Sequence, residues 1–168
     1  MRILIVTQYY NPENFIINDI VQNLKNDGYN IEILTAIPNY PNGTFFPGYN
    51  LFNKNKEIIN DILIHRSRII PRFNGNKIFL ILNYISFVFF GVLKLFFIKG
   101  KFDKIFVFAP SPITVGIVGI FAAKKFNAKS YLWVQDLWPE SVAVGGNINN
   151  KYILNLIDLI TKIIYRHT

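Results

Sequence analysis

The hydrophobic positions of this chain follow two rhythms. Ile3 to Thr7 is an apolar, β-branched run, as expected of a strand covered on both faces. After a turn at Asn11-Pro12, Phe15, Ile17, Ile20, Val21 and Leu24 recur at helical spacing, and Asp27-Gly28 supplies the stop. Ile31 to Ala36 is a second short apolar strand. The chain therefore opens strand, loop, helix, turn, strand, which is the signature of an open, parallel α/β sheet.

Ile37 to Asn50 breaks the pattern. Its prolines and glycines forbid a regular element, yet Tyr40, Phe45, Phe46 and Tyr49 lie among them. Those rings either fold back onto the domain or line a ligand-facing or membrane-facing surface. Glu57 to Ile59 and Ile62 to Ile70 predict strands joined at Asn60-Asp61, with His65 as a structural histidine. Lys77 to Lys101 is the most apolar stretch. Between Lys77 and Lys99 only Asn83, Ser86 and Lys94 are polar or charged. Its length is borderline for a membrane span. The flanking strands read as members of one sheet, so a buried or interfacial crossover helix is expected rather than a span. Ile105 to Phe108 is the next strand. Ser111-Pro112 then predicts a helix start, with Ser111 as the cap and Pro112 as the first helical residue. Lys129 to Gln135 is a further buried strand, Asp136 to Ser141 a turn, and Ile148 to Tyr165 a final amphipathic helix.

Composition narrows the function classes. The chain has 168 residues, 51% hydrophobic, 17% charged, with a formal net charge of +8 and no cysteine. Disorder, a disulfide scaffold, thiol chemistry and cysteine-based metal sites are excluded, and two histidines make a multi-histidine centre untenable. Ile, Asn, Lys, Phe and Tyr all have AT-rich codons, so part of the charge reflects coding bias. Lys and Arg are scattered without a dense run or recognition motif, which argues against nucleic acid. A basic, apolar chain suits a membrane surface better. The opening apolar run is too short for a secretory signal and reads better as a buried strand, so a cytoplasmic protein is expected.

Ligands of such sheets bind beyond the carboxyl ends of the strands. The loops Gln8 to Asn14, Ala109 to Thr114 and Gln135 to Ser141 fall there, together with Asn39 and Tyr40. No GxGxxG, GxxxxGK[ST] or GxSxG pattern occurs, which counts against dinucleotide, P-loop and serine-hydrolase chemistry. The Ser111 region offers either a plain helix cap or an anion-receiving helix start. Asp136, flanked by Gln135 and Trp138, is the best acid–base candidate, because a buried setting raises a carboxyl pKa. The competing role is a capping Asp ahead of Pro139.

Several segments together resemble one family. They are Arg2-Ile3-Leu4-Ile5-Val6-Thr7-Gln8-Tyr9-Tyr10-Asn11-Pro12-Glu13, then Asp27-Gly28-Tyr29, Leu34-Thr35 and Pro38-Asn39-Tyr40-Pro41. Pro110-Ser111-Pro112-Ile113-Thr114-Val115 and above all Trp133-Val134-Gln135-Asp136-Leu137-Trp138-Pro139-Glu140-Ser141 complete the set. The chain is similar along its whole length to the N-terminal half of family-4 glycosyltransferases of the GT-B fold, of the kind that assembles bacterial capsule, O-antigen and exopolysaccharide.

The resemblance implies a Rossmann-like acceptor-side domain spanning residues 1–168, without the C-terminal donor-binding domain and its Glu-x7-Glu motif. It implies transfer of a sugar from a nucleotide-sugar donor with retained configuration, no cofactor and no essential metal. The implied acceptor is a saccharide on a polyprenyl diphosphate at the inner leaflet, so the protein would be peripheral at the cytoplasmic face of the cell membrane. Asp136 would touch the acceptor or reacting sugar, and Glu13, Asn39, Ser111, Gln135 and Trp138 would line the cleft. Many relatives place glycine after Pro-Glu, where this chain has Asn14-Phe15. The expected partner is the missing donor-binding half, on this or a second chain, and the chain alone is expected to be nearly inactive. The rival readings are a non-catalytic membrane-associated subunit and a flavodoxin-like nucleotide or flavin binder.

Overall fold

In the computed structural model, which describes residues 1–73, 76–145 and 150–168, the apolar runs form a single six-stranded sheet. Its strands are β1 (Arg2–Thr7), β2 (Asn30–Ala36), β3 (Lys56–Ile59), β4 (Ile62–Ser67), β5 (Lys104–Ala109) and β6 (Lys129–Val134). They lie in the order β3-β4-β2-β1-β5-β6. Every neighbouring pair is parallel except β3 with β4. The helices are α1 (Ile16–Asn26), α2 (Lys77–Leu95), α3 (Val115–Phe126), α4 (Glu140–Gly145) and α5 (Lys151–His167). The architecture is the predicted one: an open, mostly parallel, Rossmann-like α/β sheet with helices on both faces.

The central strands are apolar at successive positions because each face has its own cover. Ile3 and Ile5 of β1 and Ile31 and Ile33 of β2 pack with Ile17 and Val21 of α1. Leu4, Val6, Leu34 and Val107 point the other way, onto Phe87 of α2 and Val118 of α3. Burying a side chain of this size is worth about 1.5–3 kcal/mol, so these alternating residues dominate the stability of the sheet. Asn60 and Asp61 turn the β3–β4 hairpin with φ of 50° and 55°, a left-handed pair that these short polar side chains tolerate.

Close approach of α3 to the sheet needs glycine. A Cβ at Gly119 would lie 2.2 Å from Cγ2 of Val107. Gly119→Ala should therefore lower stability by about 1–3 kcal/mol of overpacking, only partly offset by the better helix propensity of alanine. Thermal unfolding followed by circular dichroism checks this. An unchanged or raised midpoint would mean that the glycine is not required by packing.

Several boundaries differ from the sequence expectation, and the end of the expected turn at Asp136 to Ser141 is the start of α4. Helix α2 ends at Leu95 rather than Lys101, because the chain turns at Phe96-Phe97 and sends Ile98 and Phe102 into the core. Strand β4 stops at Ser67. Beyond it the Ile70 N–H donates to Ser86 Oγ (2.9 Å) instead of to a neighbouring strand. Helix α3 starts at Val115, so Ser111 is not its cap. Pro112, Ile113 and Thr114 carbonyls accept from Val115, Gly116 and Ile117, and this tight turn takes the place of a capped first turn. Of the predicted last helix, α5 covers 151–167, and the part at 148–149 lies outside the described residues.

Strand β6 is not buried on both faces. It is an edge strand, and α1 does not reach across to it, so Tyr131 and Trp133 remain 48% and 42% exposed. An apolar groove of about 340 Å³ runs there between Ile20, Leu24, Phe106 and these two rings. His65 plays the predicted structural part. It is buried and bonded through Nε2 to Glu32 (2.8 Å), which also pairs with Arg2.

Candidate functional site

The sheet fixes where a site can form. From β1 the chain runs outward through β2 to β4, then crosses back to β5 on the other side of β1. The loops that leave β1 and β5 therefore diverge and open a crevice at the carboxyl ends of the strands. The predicted loops all emerge on this side.

Glu13 is the anchor of the crevice floor. It is 1% exposed and accepts backbone N–H bonds from Asn39 (2.9 Å), Tyr40 (2.8 Å) and Tyr10 (3.3 Å). One carboxylate thus ties the loop after β1 to the loop after β2. Asn39 is fully buried. Its Nδ2 donates to Ile37 O (3.1 Å), and its Oδ1 accepts from Asn83 Nδ2 (3.2 Å). Both predicted residues shape the crevice from beneath and do not face into it.

Burial pushes the Glu13 carboxyl up to about 7, against the three backbone N–H bonds and the nearby Arg66, which favour the ion. A carboxyl that holds its proton more tightly when folded gives stability that is full below its ordinary value of 4.5 and lost as pH rises towards 7. Burial lowers His65, so that group works in the opposite direction, losing stability as pH falls below 6.5. The difference between wild type and Glu13→Gln isolates the Glu13 contribution. Subtracting the variant's unfolding free energy from the wild type's at each pH should leave a curve that falls between pH 4.5 and 7. A flat difference would show that the carboxyl titrates normally.

Above Glu13 sits a polar and aromatic cluster in which the predicted Gln8, Tyr40 and Trp138 meet three residues that sequence reasoning missed, Arg72, Asn83 and Tyr84. Asn83 is the hub. Its Oδ1 accepts from Gln8 Nε2 (2.8 Å) and Arg72 Nε (3.4 Å), while its Nδ2 donates to Ile70 O (2.7 Å). Gln8 Nε2 also donates to the Tyr9 hydroxyl (3.2 Å), and Arg72 Nη2 donates to the same oxygen. Gln8 Oε1 is buried with no hydrogen-bond partner among the described residues. The Arg72 guanidinium carbon lies 5.2 Å from the ring centres of Tyr9 and Tyr40 and 5.4 Å from that of Tyr84. Tyr40 also meets Phe15 (5.3 Å), so one aromatic of the proline-rich loop lines the crevice. Phe45 and Tyr49 instead fold back onto the core.

Trp138 joins this cluster through Tyr84, with ring centres 6.4 Å apart. Ser111 is half-buried at the end of β5. Gln135 and Asp136 are exposed. Asp136 therefore does not occupy the buried setting that the sequence implied, because the strand before it is an edge. It has no hydrogen-bond or ion-pair partner among the described residues. The arrangement offers an exposed carboxylate, a cation among phenol rings, and aromatic faces of the kind that stack on sugars. Asn83 carried one readable signal, as the lone amide in an apolar helix. Arg72 carried none, since only the fold brings it to Tyr9.

No protein-family model matches the chain, and no curated protein matches it.

Proposed function

We propose that residues 1–168 form the acceptor-side half of a GT-B glycosyltransferase, which moves a sugar from a nucleotide-sugar to a lipid-linked saccharide in cell-surface polysaccharide synthesis. The observation that supports this most is the crevice at the strand switch point, where Arg72, Tyr84 and Trp138 meet, with the exposed Asp136 two residues before Trp138. Its aromatic faces suit a sugar ring, and Asp136 suits an acceptor hydroxyl or the reacting sugar. The donor is held by a second half, on this or another chain. Helix α5 supports such a docking partner, since Leu156 and Leu159 are exposed and only Thr161 and Ile164 are buried.

The protein works at the inner face of the membrane. Helix α2 supports this reading. Ile78, Ile81, Leu82, Ile85, Phe89 and Leu93 form an exposed apolar row on its outer side, on a chain of net charge +8. Both ends of α2 enter the same sheet, so it lies along the bilayer surface.

The test is transfer of labelled sugar from nucleotide-sugars to polyprenyl-diphosphate saccharides by the chain combined with a donor-binding half. Transfer with at least one donor is the expected result. Membrane binding without transfer in any combination would favour the alternative, a non-catalytic membrane-associated subunit.

A further inference from the structure

We infer that Arg72 is the binding group for the phosphate end of a lipid-linked substrate, whose apolar chain lies along the exposed row of α2. The inference rests on the acceptor-side reading and names how that acceptor is held.

Arg72 stands out by what it lacks. Arg2 pairs with Glu32 and Arg66 with Glu57, so each of those partly or wholly buried guanidinium groups has a carboxylate. Arg72 is also half-buried, yet it has no carboxylate within ion-pair distance among the described residues. Its partners are neutral: the Tyr9 hydroxyl and the Asn83 amide oxygen. The three phenol faces offset part of the cost of burying the charge. They do not neutralise it, and an unpaired cation in a half-dry site attracts an anion. A guanidinium held in one plane by two hydrogen bonds suits the paired oxygens of a phosphate.

The surroundings choose between phosphates. Arg72 lies at the head of α2, and its ring partner Tyr84 is on that helix. Within one turn of Tyr84, Ile81, Leu82 and Ile85 are 54%, 37% and 60% exposed. A free phosphate gains nothing from those side chains. A phosphate carrying an isoprenoid or similar apolar tail can bind Arg72 and cover them at once.

Calorimetric titration of the 168-residue chain tests this, with farnesyl diphosphate, inorganic pyrophosphate and farnesol as probes. Farnesyl diphosphate should bind more tightly than pyrophosphate. Arg72→Gln should weaken farnesyl diphosphate roughly tenfold or more, the usual scale of a lost charge-assisted hydrogen bond, and leave farnesol unchanged. Arg72→Lys should fall between. Unchanged affinity in a folded Arg72→Gln would overturn the assignment. So would equal affinity of the wild type for the two diphosphates, which would indicate a free-phosphate site.

If Arg72→Gln does not fold, Ile85→Asn decides, since it removes the apolar side chain without adding charge. It must weaken farnesyl diphosphate and spare pyrophosphate, and any other pattern rejects the inference. Binding through Arg72 without sugar transfer would keep this site and sink the acceptor-side reading. Transfer whose KM for the lipid-linked acceptor ignores Arg72→Gln would do the reverse.

Discussion

On the acceptor-side proposal, Asp136→Ala should reduce sugar transfer by roughly 10²–10⁴-fold, the range lost when a proton-transfer group is removed. The thermal midpoint should barely move. Asp136 is exposed and has no hydrogen-bond or ion-pair partner among the described residues, so alanine costs the fold almost nothing. The loss should appear in kcat more than in KM if the carboxylate acts on the reacting atoms, since uniform binding changes KM alone. The measurement is labelled transfer by the chain together with its donor-binding half, with Asp136→Asn beside Asp136→Ala. Asparagine keeps the size and a hydrogen-bonding oxygen but cannot take a proton. If asparagine restores the rate, Asp136 orients the acceptor and moves no proton. Wild-type rates in both variants would remove Asp136 from the mechanism.

How far the sequence carried this picture depends on the element. The β1–α1–β2 unit was legible almost to the residue, because strands buried on both faces must be apolar throughout and α1 must be apolar on one side only. A crossover helix at α2 was legible too, though it ends at Leu95, and so was the argument that both neighbouring strands share one sheet. What it missed was the meaning of the polar exceptions. Asn83 and Ser86 clamp the head of α2 to the crevice loops through Ile70, Gln8 and Asn39.

Two misreadings share a cause. Ser111-Pro112 has the local form of a helix start, but the turn at Pro112 to Thr114 delays the helix to Val115. Lys129 to Gln135 has the local form of a buried strand, and nothing in so short a run tells an edge from a centre. Both depend on what packs alongside. The same holds for Arg72, whose hydrogen bond to Tyr9 joins positions 63 apart. The crevice framework was therefore readable from pattern, whereas the chemistry within it had to come from the fold.

Replacing Ile81, Ile85 and Phe89 together by aspartate should detach the protein from anionic vesicles. The three side chains are 54%, 60% and 59% exposed, so they contribute little to the core and the variant should fold. Full burial of such a side chain is worth about 1.5–3 kcal/mol, so half-burial of all three in the interface predicts a loss of roughly 2–4 kcal/mol. That corresponds to roughly a 30-fold to 1000-fold drop in partitioning, before the repulsion of three added carboxylates is counted. Charge is the second half of the argument. Each lysine or arginine near an anionic surface contributes about 1 kcal/mol, screened by salt. Lys77 and Lys94 on α2, with Lys99 and Lys101 just beyond it, give that helix a basic flank at both ends of its apolar row. Flotation should therefore rise with the anionic lipid fraction and fall with added salt in the wild type. The triple variant should stay in solution at every composition. Flotation indifferent to lipid charge would reject the electrostatic part. Equal flotation of the triple variant would mean that another surface meets the membrane, and that the row on α2 is covered by protein instead.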